Sequence, residues 1–179
     1  MPRPPGRTPA STAACAGTDV LTGLDRCAAE GFGLLRGARV ALCSHPGGVL
    51  SGDLTHGVDA MVAAGVHLVA LLGPEHGFRG SAQAGFAEAD SRDPRTGVPM
   101  VDTYGLDPAA LADALAAHEV DLVVIDLPDA GVRFHTYIWT IYRLAVARWC
   151  PRPAHLGTPG PVACRTGRRA GPTHPGLRR

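Results

Sequence analysis

Three polar segments of the sequence contain the residue types best suited to chemistry, and each follows an apolar run. They are Ser44–Gly48 (SHPGG), Gly73–Gly80 (GPEHGFRG) and Asp126–Tyr137 (DLPDAGVRFHTY). Their carboxylates, imidazoles and guanidinium groups can exchange protons and bind anions. If the apolar runs are neighbouring parallel strands, the three segments lie at the sheet edge where ligands bind in such folds. The sequence therefore predicts one shared pocket.

Glu75 is the first candidate for a catalytic acid. Glycines flank the Glu75-His76 pair, and glycine lets the backbone approach a ligand closely. Near the apolar Leu72 and Phe78, a carboxyl group is favoured in its protonated form, which can donate to a glycosidic oxygen. The alternative interpretation is a surface turn with solvated charges.

Asp126 and Asp129 are candidates for the second carboxylate that glycoside hydrolysis usually requires. Both stand at or just beyond the end of an apolar run. An aspartate in this position also often caps the following helix through its side chain. The sequence leaves both interpretations open.

Arg79 and Arg133 are candidates for binding an anionic group of a substrate. A guanidinium group can donate two parallel hydrogen bonds to a carboxylate. Alternatively, these arginines form ion pairs with Asp129 or Glu75 and shape the loops. The two roles are compatible.

His45, His76 and His135 could instead ligate a metal together with Glu75 or Asp126. No two of these histidines have the HExxH spacing that places ligands on one helical face. The five cysteines form no CxxC pair, so a structural zinc site is not expected either. A metal-dependent hydrolase is the less favoured alternative, and we expect no metal or cofactor.

Motifs of other enzyme classes are absent from the sequence. No GxGxxG or GxxxxGK[ST] motif follows a strand, so nucleotide binding has no support. Ser44 does not stand in the GxSxG turn of many serine hydrolases.

Tyr137 is expected to pack in the core, with a hydroxyl group that could reach the pocket.

Apolar runs alternate with segments of helical periodicity along most of the chain. This alternation predicts an α/β fold, a mostly parallel sheet with helices on both faces. The expected strands are 39–44, 67–72 and 121–127, and the expected helices are 20–30, 58–64, one beginning at 107, and 136–149. A long glycine-rich loop is expected from 73 to 105.

The two ends of the chain differ in composition from the middle. Residues 1–17 are rich in proline, alanine and serine and are predicted to be disordered. All acidic residues lie at or before Asp129, although the net charge is only +1. Residues 150–179 are rich in arginine, proline and glycine and have no helical or strand periodicity. This segment is either a natural disordered basic tail or, the interpretation we favour, an out-of-frame translation.

Composition also limits the location and partners of the protein. No apolar run approaches the ~20 residues of a membrane span. The N-terminus lacks the apolar stretch of a secretory signal, which favours the cytoplasm. The basic tail alone would support a binding protein that contacts nucleic acid. We do not favour nucleic acid as a partner, because the tail has the frameshift explanation.

The motifs together resemble a known family. Besides the three segments above, the sequence has Ala84-Gly85, Thr96–Pro99 (TGVP) and Tyr104-Gly105, in the family's order and spacing. From Gly17 to Trp149 the chain is similar to the exo-acting β-N-acetylmuramidases, formerly the domain-of-unknown-function family DUF1343. The GPEHGFRG block and the D-x-x-D-x-G-x-R-F block are together highly specific.

The resemblance implies a Rossmann-like domain at 18–149 and a glycoside hydrolase that releases N-acetylmuramic acid from the non-reducing end of peptidoglycan fragments. It implies a cleft between this domain and a smaller C-terminal domain. Glu75 would be the catalytic acid, and an arginine such as Arg133 would bind the lactyl carboxylate. The resemblance implies a pocket lined by His76, Arg79, Asp126, Asp129, Arg133 and Tyr137. The resemblance leaves a retaining or inverting outcome open.

The sequence departs from the family pattern at several positions. Pro128 replaces a glutamine, His135 replaces a tyrosine, and the loop with His45 replaces a Thr-Asn-Pro-Thr sequence. Family members are also considerably longer, so we expect a partial domain, and a truncated, non-catalytic remnant is the main alternative. The family's role in peptidoglycan turnover would place the protein at the cell envelope rather than in the cytoplasm.

Overall fold

A computed structural model describes residues 21–86, 89, 91–149 and 162–164. The predicted disordered segment 1–17 and most of 150–179 lie outside the described residues. Among the described residues, no helix combines the length and the apolar character that crossing a membrane requires.

A six-stranded sheet forms the centre of the fold. Its strand order is β3-β4-β2-β1-β5-β6, and every neighbouring pair is parallel except β3 with β4. The strands are β1 (Val40–Ser44), β2 (Leu68–Gly73), β3 (Ser91–Arg92), β4 (Pro99–Asp102), β5 (Leu122–Asp126) and β6 (Val162–Cys164). The predicted mostly parallel α/β sheet is confirmed.

The central strands are continuous apolar runs because helices cover both faces of the sheet. The helices are α1 (Gly23–Ala29), α2 (Gly57–Ala63), α3 (Pro108–Ala117) and α4 (Tyr137–Trp149). Leu24 and Met61 of α1 and α2 pack on the face that carries Leu42. Leu111 of α3 and Leu144 of α4 pack in the core on the opposite face.

The helix starts follow from local chemistry. The Thr22 hydroxyl group accepts a hydrogen bond from the backbone N–H of Asp25, and the Asp25 carboxylate accepts one from the N–H of Thr22, which completes a capping box. Asp107 accepts from the N–H of Ala110, and Pro108 follows in the first helical position. Backbone N–H groups of the first helical turn, which have no partner within the helix, are satisfied in this way.

Two short strands correct the predicted loop from 73 to 105. β4 pairs with β2 and extends the sheet on that side, and β3 is antiparallel to β4. The sequence signal was weak because β4 has four residues and begins at Pro99, which cannot donate to the ladder.

A second correction concerns the segment 150–179. Within it, Val162–Cys164 forms β6, which pairs in parallel with β5. An unpaired edge of β5 offers backbone donors and acceptors to a short apolar stretch such as Val-Ala-Cys. The prediction of disorder therefore does not hold for these three residues, and the proposed domain limits stay a prediction.

Candidate active site at the carboxyl edge of the sheet

The order of the strands places a topological switch point between the ends of β1 and β5. After β1 the chain turns through α2 to β2 on one side, and after β5 it continues through α4 on the other face. Such a reversal leaves a crevice beyond the carboxyl ends of the two strands, where ligands of open α/β sheets bind. The segments after β1, β2 and β5 meet at this edge, as the sequence predicts.

Glu75 lies in the turn after β2 and is half-buried. Its Oε1 accepts a hydrogen bond of 3.0 Å from the backbone N–H of Gly85. Its Oε2 accepts one of 2.6 Å from the hydroxyl group of Thr136. The carboxyl group is therefore held between its own loop and the loop that follows β5. Thr136 was not among the predicted site residues, although it lies inside the predicted Asp126–Tyr137 segment.

The turn that carries Glu75 is tight and partly strained. The N–H of Gly77 donates to the carbonyl of Pro74 at 2.8 Å, which closes the turn. His76 is exposed and has a φ of 73°, in the left-handed region that few residues other than glycine adopt. Backbone conformations of this kind often occur at functional sites.

Gly73 allows this turn to fold back on the end of β2. A methyl group at Gly73 would lie 2.9 Å from the backbone nitrogen of Phe78, and backbone cannot move aside as a flexible side chain can. We expect Gly73→Ala to lower the free energy of unfolding by about 1–3 kcal/mol, since overpacked sites shift the backbone. Urea unfolding measures the loss.

Gly52→Ala is the matched control, because a methyl group there meets no atom within 4 Å. It should change stability by less than about 0.5 kcal/mol. Equal stability losses in the two variants would contradict the proposed tight packing of the turn.

Three rings form a small cluster at the crevice. The Tyr137 ring lies 5.6 Å from the ring of His45 and 4.9 Å from the ring of His135. Burial, with a smaller contribution from the charge of His135, lowers the pKa of His45. Burial also raises the pKa of Tyr137, with further contributions from Cys43 and Glu75. The cluster therefore presents a neutral phenol and a largely neutral imidazole near neutral pH.

His135 and Asp129 approach each other without forming a hydrogen bond. His135 Nδ1 is 3.9 Å from Asp129 Oδ1, beyond hydrogen-bond distance. This nitrogen is buried and has no hydrogen-bond partner among the described residues. Asp129 is exposed and accepts the N–H of Gly131 at 3.2 Å. A small movement, or a ligand group, would satisfy the buried nitrogen.

Asp126 is half-buried beneath the loop after β1. Burial raises the pKa of Asp126, while the charge of His56 and a hydrogen bond with Ser44 oppose this rise. A methyl group on Gly48 would lie 2.8 Å from Asp126 Oδ2, so the loop backbone covers the carboxyl group closely. Of the two candidates for a second carboxylate, Asp129 is the exposed one.

His56 is a buried residue of this region that was not predicted from the sequence. Its Nδ1 accepts the N–H of Val58 at 3.3 Å, so Nε2 carries the proton that meets the carbonyl of His45 at 3.0 Å. Burial lowers the pKa of His56. Its ring packs 5.4 Å from that of Phe78. His56 thus fixes the backbone of the loop that carries His45.

Arg79 forms ion pairs, but with other partners than predicted. Its Nε and Nη2 donate to Asp93 at 2.9 Å each, and Nη2 also meets Asp59 at 3.0 Å. The partners predicted from the sequence are Glu75 and Asp129, and neither forms an ion pair with Arg79 among the described residues. Because its donors are engaged by two carboxylates, Arg79 connects its loop to α2 and to the turn at Asp93.

Arg133 is exposed, and no ion pair or hydrogen bond of its side chain is found in the described part of the chain. Of the two arginines, it is therefore the one whose guanidinium group is not engaged by a carboxylate of the described residues. The described residues contain no group of three or more histidine, cysteine, aspartate or glutamate side chains arranged to hold a metal ion.

The fold is a mostly parallel α/β sheet with a half-buried glutamate in the loop after β2. The profile of the N-terminal part of the exo-β-N-acetylmuramidase NamZ matches residues 40–149. The chain belongs to this family.

Individual proteins of this family are similar to the chain. Peptidoglycan β-N-acetylmuramidase NamZ of Bacillus subtilis (strain 168) is 37% identical over 131 residues, which are 72% of this chain and 31% of the relative. Two crystal structures of DUF1343 family proteins from Bacteroides fragilis NCTC 9343 are also similar. The first has a TM-score of 0.59 at 35% identity and covers 69% of this chain and 30% of that chain. The second has a TM-score of 0.53 at 29% identity, with 71% and 31% covered.

This chain therefore spans about 31% of the length of the curated relative that it matches.

Proposed function

We propose that this chain provides the proton-transferring side of an exo-β-N-acetylmuramidase active site, with Glu75 as the general acid. The observation that carries the proposal is the position of Glu75. Its carboxyl group is half-buried at the switch point of the sheet and is held by donors from two loops. A carboxylic acid fixed in this way can protonate the leaving oxygen of a glycosidic bond.

The surrounding side chains suit a muramyl saccharide as substrate. Arg133 is exposed and can bind the lactyl carboxylate, which distinguishes muramic acid from other hexosamines. Asp129 is the accessible carboxylate for the second role in hydrolysis. His76, exposed in the strained turn, would contact the sugar or its substituents.

The ring cluster of His45, Tyr137 and His135 provides a second part of the binding surface. Its ring faces are apolar and its edges carry polar atoms, a combination that suits a sugar ring. The unpartnered Nδ1 of His135 would accept or donate a hydrogen bond to a substrate hydroxyl group. Asp126, covered by the loop after β1, would support this surface from beneath rather than touch the substrate.

A hydrolysis assay tests the proposal. The folded chain is incubated with a disaccharide that has N-acetylmuramic acid at its non-reducing end, and free sugar is measured by chromatography. The control substrate has N-acetylglucosamine there and lacks only the lactyl group. We expect release from the first substrate and much slower release from the second. Equal rates would contradict the role of Arg133.

A non-catalytic sugar-binding protein is the second candidate. The observation that favours it is that both oxygens of Glu75 already accept hydrogen bonds within the protein, which also suits a structural role for this carboxylate. The described residues would then bind the saccharide without cleaving it. Chemical-shift changes around Tyr137 on addition of the disaccharide, without release of free sugar, would support this candidate.

The compartment follows from the proposed substrate. Peptidoglycan fragments arise in the cell envelope, and we propose the envelope as the place of action. Cell fractionation with an antibody against the chain would test this, and a purely cytoplasmic signal would favour a salvage role.

A further inference from the structure

Thr136 occupies the N-cap of α4, but its hydroxyl group does not cap the helix. Its carbonyl accepts the first helical bonds, from the N–H groups of Trp139 at 3.0 Å and Thr140 at 3.3 Å. A threonine at this position usually accepts an N–H of the first turn through its side chain. Here the hydroxyl group donates to Glu75. No amide of the first turn donates to it among the described residues.

The contact joins distant parts of the chain. Thr136 and Glu75 are 61 residues apart in sequence, and their 2.6 Å separation is in the range of hydrogen bonds to charged oxygens. The last torsion of a glutamate side chain is broad, so one contact does not fix the plane of its carboxyl group. Thr136 on Oε2 and the Gly85 N–H on Oε1 together fix it.

The two donors differ in what they can do when the proton on Glu75 moves. The backbone N–H of Gly85 can only donate, whereas the hydroxyl group of Thr136 can donate or accept. It can therefore stay bonded to Oε2 in the ionised and in the protonated form. Each carboxyl oxygen has two lone-pair positions, so one position on each oxygen remains for a substrate.

We propose that Thr136 is a positioning residue that holds the Glu75 carboxyl group in one orientation through both protonation states. The structural part of this inference stands on the two hydrogen bonds, and its kinetic part rests on the proposed function. The Thr136 hydroxyl group does not cap α4, and this is the structural sign that it serves instead to position Glu75.

Amide exchange in the 15N-labelled chain tests the structural part. The Gly85 N–H reports the position of Glu75, because it donates to Oε1. In Thr136→Val, which removes the hydroxyl group at nearly equal volume, we expect the Gly85 amide to exchange about tenfold faster, the effect of one lost hydrogen bond. Thr136→Ser keeps the hydroxyl group and should restore the parent rate within about twofold.

Thr140→Val is the matched control. Thr140 is buried one turn further along α4, and the same chemical change there leaves the contact with Glu75 intact. Unchanged exchange at Gly85 in Thr136→Val, or an equal change in Thr140→Val, would overturn the proposal. If the valine variant does not fold, Thr136→Ala replaces it, with the same expected outcome.

Kinetics on the muramyl disaccharide test the kinetic part of the proposal. Thr136→Val should lower kcat by about 10–100-fold with little change in KM, because a misplaced catalytic group affects the chemical step more than binding. Thr136→Ser should recover most of the rate. If the parent chain releases no sugar but the Gly85 amide responds as expected, the proposed function fails and the positioning role stands.

Discussion

In Glu75→Gln we expect the release of N-acetylmuramic acid to fall by at least about 100-fold, because general acid catalysis contributes on that order. Glutamine retains the shape of the side chain, and its amide oxygen can still accept the N–H of Gly85. Its amide nitrogen can donate to the Thr136 hydroxyl group, which is able to accept. The variant therefore loses the transferable proton and keeps the local contacts. Initial rates on the muramyl disaccharide measure the effect.

Glu30→Gln is the matched control for this substitution. Glu30 is exposed at the C-terminal end of α1. Its neutralisation should leave the rate within about twofold of the parent, as expected for a surface change far from the reacting groups. A Glu75→Gln variant with the parent rate would remove Glu75 from the mechanism, and Asp129 would become the carboxylate to test.

The second large effect is on stability, in Arg79→Met. This change leaves the side chain of Asp93, which is fully buried, without its positive partner. We expect the free energy of unfolding to fall by about 3–5 kcal/mol, the usual cost of breaking a buried pair. Urea unfolding measures it. The double variant Arg79→Met with Asp93→Asn should lose less, because no unpaired charge remains.

Arg39→Met provides the comparison at an exposed ion pair. Arg39 also donates two side-chain hydrogen bonds to one carboxylate, that of Asp121, but both side chains are about two-fifths exposed. Loss of an exposed pair costs about 0–1 kcal/mol. If Arg39→Met destabilised the protein as much as Arg79→Met, the burial of the Arg79–Asp93 pair would not explain the stability loss in Arg79→Met.

The same network predicts a pH dependence of stability. Burial opposes ionisation of Asp93, but hydrogen bonds from Arg79 and Thr96 outweigh it and lower the pKa of Asp93 from 3.8 to about 2. Its stabilising contribution is complete above the unfolded pKa and is lost as the pH falls from about 4 towards 2. Asp93→Asn should lack this acid-sensitive component, and unfolding curves over this pH range would show a flatter dependence.

The sequence predicted the central part of the fold well. The runs around Leu42, Leu71 and Val123 are continuously apolar, and such runs indicate strands buried on both faces. The pattern failed for β4, where two apolar residues between Pro99 and Asp102 gave no period to detect. Pairing with β2, a tertiary effect, makes that segment a strand.

The candidate site was predicted in position but not in its contacts. Parallel strands place their following loops at one edge, which was enough to bring Glu75 near the segment after β5. The partners of Arg79 lie 14 residues after it and 20 residues before it in the sequence, and no periodicity encodes these contacts. Thr136 stands at the start of a helix predicted over 136–149, and only the fold shows that its hydroxyl group turns to Glu75.

The central position of β1 also determines the order in which the protein can be built. β1 is synthesised early, but its neighbour β5 is synthesised only after β2, β3 and β4, which form the other side of the sheet. Arg39 and Asp121, at the starts of β1 and β5, are 82 residues apart in the sequence. Closing so long a loop slows folding, and the open edge of β1 can meanwhile pair with other chains. Glu75 and Thr136 meet only when α4 has joined the sheet. A ribosome-bound chain that ends before Asp121 would therefore have most of its core residues and no organised site, and it would need protection from aggregation.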